Sequence, residues 1–281
     1  MDSGVYVDTF LRRKRGKNAV RSRQGCRRGN LIPMSSKDVV IVHSSDLHVD
    51  HDYTARLHGG DGTAGLACVL RAAGAIAADV VLLAGDTFES HRLPQHVLDR
   101  TATVIADAAM PVVLLPGNHD PAIPEAVFRH GKLAMIENLL VLGVTHPEAI
   151  DLPHLDLEIW GRAHLDYGDM IPLETARPRR RRWQVAVAHG HYDPAIDRSV
   201  VPRPSWLIND AEIAGTGADY VALGHWNRAM KVGNGSVAAY YSGSPEYAGT
   251  VNVVRLTGDG QVLVSLMELD IPREVEPVFV P

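Results

Sequence analysis

Six short runs of β-branched and aliphatic residues, at 38–43, 79–84, 111–116, 139–144, 184–188 and 219–223, constrain this chain more than any other feature. Each run is apolar at nearly every position, so a strand built from it needs cover on both faces. Ala-rich stretches at 63–78 and 93–109 separate the early runs and are long enough to serve as crossover helices between parallel strands. The pattern predicts an α/β domain. After residue 235 the texture changes. Segments 236–242, 251–256 and 262–268 read as antiparallel strands, with Gly258-Asp259-Gly260 as the turn joining the last two. Neither repeat nor linker interrupts the chain, which predicts one domain over 38–271 and a short tail at 272–281.

Composition narrows the class. A chain of 281 residues that is 46% hydrophobic can fill a sizeable core, which excludes disorder throughout as well as collagen-like and coiled-coil chains. No stretch approaches 18 consecutive apolar residues, so no transmembrane segment is expected. Cys26 and Cys68 cannot form a disulfide framework, and neither sits in a metal-binding pair. A reducing, cytoplasmic setting follows as the expectation. The net charge of −5 averages two unlike parts. Of 28 basic and 33 acidic residues, ten and two fall in residues 1–37, leaving 18 and 31 for the body. A leader of +8 thus precedes a body of −13. Three readings of the leader stand: a disordered or mis-assigned segment with Met34 as the true start, a nucleic-acid-binding tail, or a targeting segment. The run Arg177-Pro178-Arg179-Arg180-Arg181-Arg182 is expected to be a solvated basic loop, with phosphate or nucleic-acid contact as the alternative.

The chemistry is concentrated at the strand ends. Ser45-Asp46-Leu47-His48 follows the first run, Gly85-Asp86 the second and Gly117-Asn118-His119-Asp120 the third. His189-Gly190-His191 and Gly224-His225-Trp226-Asn227 follow the last two. Ligands in open α/β sheets gather outside the carboxyl ends of the strands, so five such tips can face one crevice. A Gly-Asp or a lone His is common at turns, and an Asp after a strand readily caps a helix. The ordered set of five carries the signal. Carboxylate, imidazole and amide donors together suit a pair of divalent ions such as Mn, Fe or Zn. Two such ions favour hydroxide attack on a phosphoester.

These residues resemble the pattern of the calcineurin-like metallophosphoesterase superfamily: D-x-H, G-D, G-N-H-[DE], a lone His, then G-H-x-H. The resemblance spans about residues 38–250 and implies an α/β fold, a four-layer α/β/β/α sandwich of two mixed sheets flanked by helices. It places the strands after residue 235 in the second sheet. It further implies that Asp46 and His48 hold a first metal, that Asp86 bridges, and that Asn118, His189 and His225 hold a second. His119 then steadies the phosphate or protonates the leaving oxygen, with Asp120 holding its imidazole. His191 is a weaker candidate. Asn227 stands where the family usually has a second His on the first metal. An amide there implies a weaker site biased to a harder ion such as Mn²⁺, or else impaired or redirected catalysis.

Within the superfamily, Asp219-Tyr220-Val221-Ala222-Leu223-Gly224-His225 and Tyr241-Ser242-Gly243-Ser244-Pro245-Glu246 are similar to the DNA repair exonuclease branch (SbcD type). Gly85-Asp86-Thr87-Phe88-Glu89-Ser90 fits the G-D-x-F-[DE] continuation of that branch. The expected activity is therefore two-metal hydrolysis of a phosphodiester, with DNA as one substrate. The acidic body argues against a broad grip on duplex DNA, which depends on phosphate neutralisation. A small-molecule phosphatase or phosphodiesterase is the alternative, and a binding protein with a degenerate metal site is the third.

Overall fold

The computed structural model describes residues 37–173, 176–197, 199–200 and 206–271. The leader, apart from Lys37, and the expected tail lie outside the described residues. Fourteen strands are present among them, numbered here in chain order. β1 (Val39–Ser44), β2 (Val80–Ala84), β3 (Val112–Leu115) and β4 (Leu139–Val141) run parallel in the first sheet, with β13 (Thr250–Leu256) antiparallel beside β1 and β14 (Val262–Glu268) antiparallel beside β13. The second sheet has the order β11-β12-β10-β7-β6-β5, from β5 (Ala149–Leu152), β6 (Leu157–Gly161), β7 (Trp183–His189), β10 (Tyr220–Gly224), β11 (Ala229–Val232) and β12 (Ala238–Ser242). Its four central strands are parallel, and β5 and β11 close the edges antiparallel. β8 (His191–Tyr192) and β9 (Leu207–Ile208) form a separate parallel pair.

Side chains alternate across a strand, and both faces of both sheets are covered, which accounts for the continuous apolar runs. Ile41, Leu82, Val113 and Leu115 of the first sheet meet Ile159, Val185, Val187 and Tyr220 of the second in the central core. On the far side of the first sheet, Val42, Val81, Leu83 and Leu114 pack under Leu66, Val69 and Leu70 of α2 (Ala64–Ala75) and Val97 and Ile105 of α3 (Gln95–Ala106). The outer layer on the second sheet is thinner: Trp160, Ala188, Val221 and Tyr241 are covered by Ile213 of α4 (Asp210–Gly215) together with Leu173 and Ile208. Four layers result, in the order expected.

The strands after residue 235 correct the expectation in two ways. β13 and β14 join the first sheet, because Val254 and Leu256 face the central core from beside β1. β12 does lie in the second sheet, yet it pairs parallel with β10. Two arginines of the basic run ahead of β7 are paired with nearby carboxylates. Arg179 pairs with Asp219 at 2.6 Å and Arg181 grips both oxygens of Asp151 at 2.5 and 2.6 Å. These pairs stand at the strand starts, at the opposite end from the strand tips.

At the carboxyl ends the sheets come close enough to exclude a methyl group. A Cβ on Gly224 would lie 1.9 Å from the carbonyl oxygen of Ala84 and 2.8 Å from His189 Nδ1. Overpacking of this kind costs about 1–3 kcal/mol or more. Gly224→Ala should lower the denaturation midpoint by that measure, read by urea unfolding, and should displace β10 from β2.

Candidate metal centre

The five tips meet where the two sheets touch. Hydrogen bonds between them fix their relative height: Asp46 N donates to Gly85 O at 3.1 Å, His48 N to Asp86 O at 3.1 Å, and Gly190 N to Gly224 O at 3.1 Å. Four of the residues turn the chain with positive φ, namely Asp46 (52°), His48 (44°), Asp86 (50°) and His225 (108°). L-residues rarely adopt this region, at a cost of order 1–3 kcal/mol each. Such strain at the first, second and fifth tips points to function.

His189 is the best-defined member. Its Nδ1 donates to the carbonyl of Ala84 at 2.8 Å, which turns Nε2 towards Asp86 Oδ2 at 3.0 Å and Asn118 Oδ1 at 3.1 Å. Three atoms that can each ligate converge here, and a shared divalent cation would take the place of the Nε2 proton. Ligating atoms of Asp86, His189 and His225 lie within 4.8 Å of one another, and so do those of Asp46, His48 and Asp86. Asp86 belongs to both groups, as a bridging carboxylate must. Hydrogen bonds also tie these carboxylates in place: Asp46 accepts from His225 N at 2.9 Å and from the Ser45 hydroxyl at 2.5 Å, and Asp86 Oδ1 accepts from His119 N at 2.9 Å.

Without an ion, His189 and Asp86 form a buried ion pair. Burial alone would lower the His189 pKa, but the Asp86 carboxylate outweighs it and the imidazole is pushed up to about 9. Asp86 resists burial in turn through His189 and stays below the ordinary carboxylate range. Burial, with the His189 charge, pushes His225 down to about 4, so it remains neutral with a lone pair to offer.

Asp120 does not hold His119, which corrects the role expected for it. Its Oδ2 accepts from the amides of Thr87 and Phe88 at 2.9 and 3.0 Å, and its Oδ1 from Gly117 N at 2.7 Å. Fully buried, it ties the third tip to the second; burial and the Asp86 charge push its carboxyl up to about 8. The carboxylate beside His119 is Glu89, with Oε1 3.7 Å from the imidazole Nδ1. Glu89 Oε2 also accepts from His48 Nδ1 at 2.8 Å, and the two imidazoles meet edge to face at 4.8 Å. The G-D-x-F-[DE] continuation was the available signal for Glu89, which lies three residues beyond Asp86. Asn227 is exposed and lines the same cleft as Asp46, His48 and His119. His191 lies beside His225, outside the ligand groups.

The sequence matches the calcineurin-like phosphoesterase family over residues 39–228, two-thirds of its length. The chain belongs to that family. Calcineurin-like phosphoesterases are metal-dependent phosphoester hydrolases, and this chain carries ligand groups suited to divalent ions. A solved Thermus thermophilus protein, TT1561, is similar in fold, with a TM-score of 0.54 and 11% identity over 82% of this chain and 98% of that one. Another solved structure, described as a novel archaeal phosphodiesterase, gives 0.41 at 13% identity over 82% and 100% of the two chains. None of the curated protein sequences compared with this one matches it significantly. No helix among the described residues is long and apolar enough to cross a membrane.

The raised His189 pKa has a signed consequence for this phosphoesterase without its metals. Stability from the His189–Asp86 pair is fully present below the usual 6.5 and is lost as pH rises through about 9. Thermal melts in chelator should fall across that window, and Asp86→Asn should flatten the fall.

Proposed function

We propose that this phosphoesterase hydrolyses a phosphodiester, with one divalent ion held by Asp46, His48, Asp86 and Asn227 and a second by Asp86, Asn118, His189 and His225. Mn²⁺ is the first choice for both, since the Asn227 amide favours a harder ion over imidazole-preferring metals. Bound there, the ions would supply an activated hydroxide and neutralise charge on the phosphoryl oxygens. His119 points into the cleft beside His48 and serves as the donor to the leaving oxygen. Glu89 orients the two imidazoles, and Asp120 sets the height of the tip that carries His119.

The observation that supports a diester over a monoester is the charge of the cleft. Among the described residues, Asp46, Leu47, His48, His51, Thr54, Glu89, His119, Asn227, Ser244 and Tyr247 line it, with neither Arg nor Lys. A monoester dianion calls for fixed cations such as a bidentate Arg, whereas a diester carries a single charge. The Glu89 carboxylate would add repulsion against a dianion. The same wall favours a small diester over a long polyanion. The nuclease reading rests on the similarity of 219–246 to the repair exonuclease branch, and it is the second reading.

With Mn²⁺, bis-p-nitrophenyl phosphate should turn over well and p-nitrophenyl phosphate poorly. Linear single-stranded DNA in the same assay separates the small-molecule enzyme, which leaves it intact, from a nuclease. Asp86→Ala should abolish all metal-dependent turnover, because its carboxylate touches both proposed ions; retained activity would overturn the two-metal arrangement. Asn227→His should raise first-site occupancy, measured as Mn²⁺ stoichiometry at limiting metal. An unchanged stoichiometry and rate would remove Asn227 from the ligand set.

A further inference from the structure

His191 remains unassigned although its ring neighbours the His225 imidazole. Its ring centroid lies 6.3 Å from that of His225, and its side chain is exposed. Trp226 Nε1 lies 3.0 Å from its Nδ1. An indole nitrogen can only donate, so Nδ1 is the acceptor and the neutral imidazole carries its hydrogen on Nε2. No acceptor faces that Nε2 among the described residues. The orientation is built in rather than incidental. Trp226 stacks on Tyr241 at 4.7 Å with an interplanar angle of 7°, and the Tyr241 hydroxyl donates to Gly190 O at 2.6 Å. The backbone of His191 is anchored separately, its amide donating to Trp206 O at 2.8 Å. A tie between these two tips already exists in the Gly190–Gly224 hydrogen bond, so the Trp226–His191 bond is not needed for that purpose.

We propose that His191 is a further substrate-binding residue, whose Nε2–H donates to a non-bridging phosphoryl oxygen of the diester on the His225 side of the cleft. The assignment rests on the phosphodiester reading above. A neutral donor suits the single charge of a diester, and Trp226 acts as the positioning residue that selects the tautomer. His119 and His191 then approach the phosphoryl group from opposite ends of the ligand groups, one beside His48 and the other beside His225.

The test uses the full-length protein with Mn²⁺, steady-state kinetics on bis-p-nitrophenyl phosphate, and calorimetric titration with inorganic phosphate. His191→Ala should raise KM and weaken phosphate binding about ten- to hundredfold, the range of a hydrogen bond to a charged group. Metal stoichiometry and Tm should stay at the unsubstituted values. His191→Gln restores an N–H near the Nε2 position and should recover most of the loss. Trp226→Phe keeps a ring on Tyr241 but removes the indole N–H, and should fall between the two. Unchanged KM and phosphate affinity in His191→Ala would overturn the proposal. So would a lost Mn²⁺ equivalent, which would make His191 a ligand, or equal impairment of the Ala and Gln variants. A protein that turns over no diester at all would sink the phosphodiester reading instead, and the phosphate titration still decides on His191.

Discussion

One hydrogen bond between the sheets governs much of what surrounds it. His189 ends β7 in the second sheet, and its Nδ1 donates to Ala84, the last residue of β2 in the first. That contact aims the opposite ring nitrogen at Asp86 and Asn118, residues that follow β2 and β3. It also requires the sheets to touch at their carboxyl ends, where Gly224 leaves no room for a side chain. Central packing of Ile41, Leu82, Val185 and Tyr220 supplies the adhesion, and the imidazole sets the alignment.

Much of this was legible before any coordinates because burial on both faces leaves a simple imprint. β1, β2, β3, β7 and β10 fall within a residue or two of the apolar runs, and the ligand-bearing tips follow from their ends. β6 escaped notice since Glu158, buried with Gln184 as its partner at 3.0 Å, breaks the apolar run Leu157–Gly161. β11 is an exposed edge strand, Ala-Met-Lys-Val, with little apolar pattern to find. Sheet membership after residue 235 was beyond reach for another reason. Alternation reports that a strand has an inner face, while the partner that face meets depends on the return path of the chain.

The site shows the same division. Residue types at the tips indicate a donor set, but which carboxylate serves which imidazole depends on turn geometry. Asp120 adjoins His119 in sequence yet is consumed by three backbone amides. Glu89 lies thirty residues away from His119 and reaches it because the second and third tips fold over one another. Adjacency along the chain was a poor guide to adjacency in the cleft.

The left-handed turns at Asp46, His48, Asp86 and His225 also bear on how such a centre would be loaded. The chain bears their conformational cost while folding, with the central core as the counterweight. Donor atoms held this way need little rearrangement when a cation arrives, so loading resembles seating a part in a finished socket rather than assembling one. Such rigidity also narrows tolerance: a change in a distant core residue that lets the sheets slip would move donor atoms drawn from both sheets relative to one another.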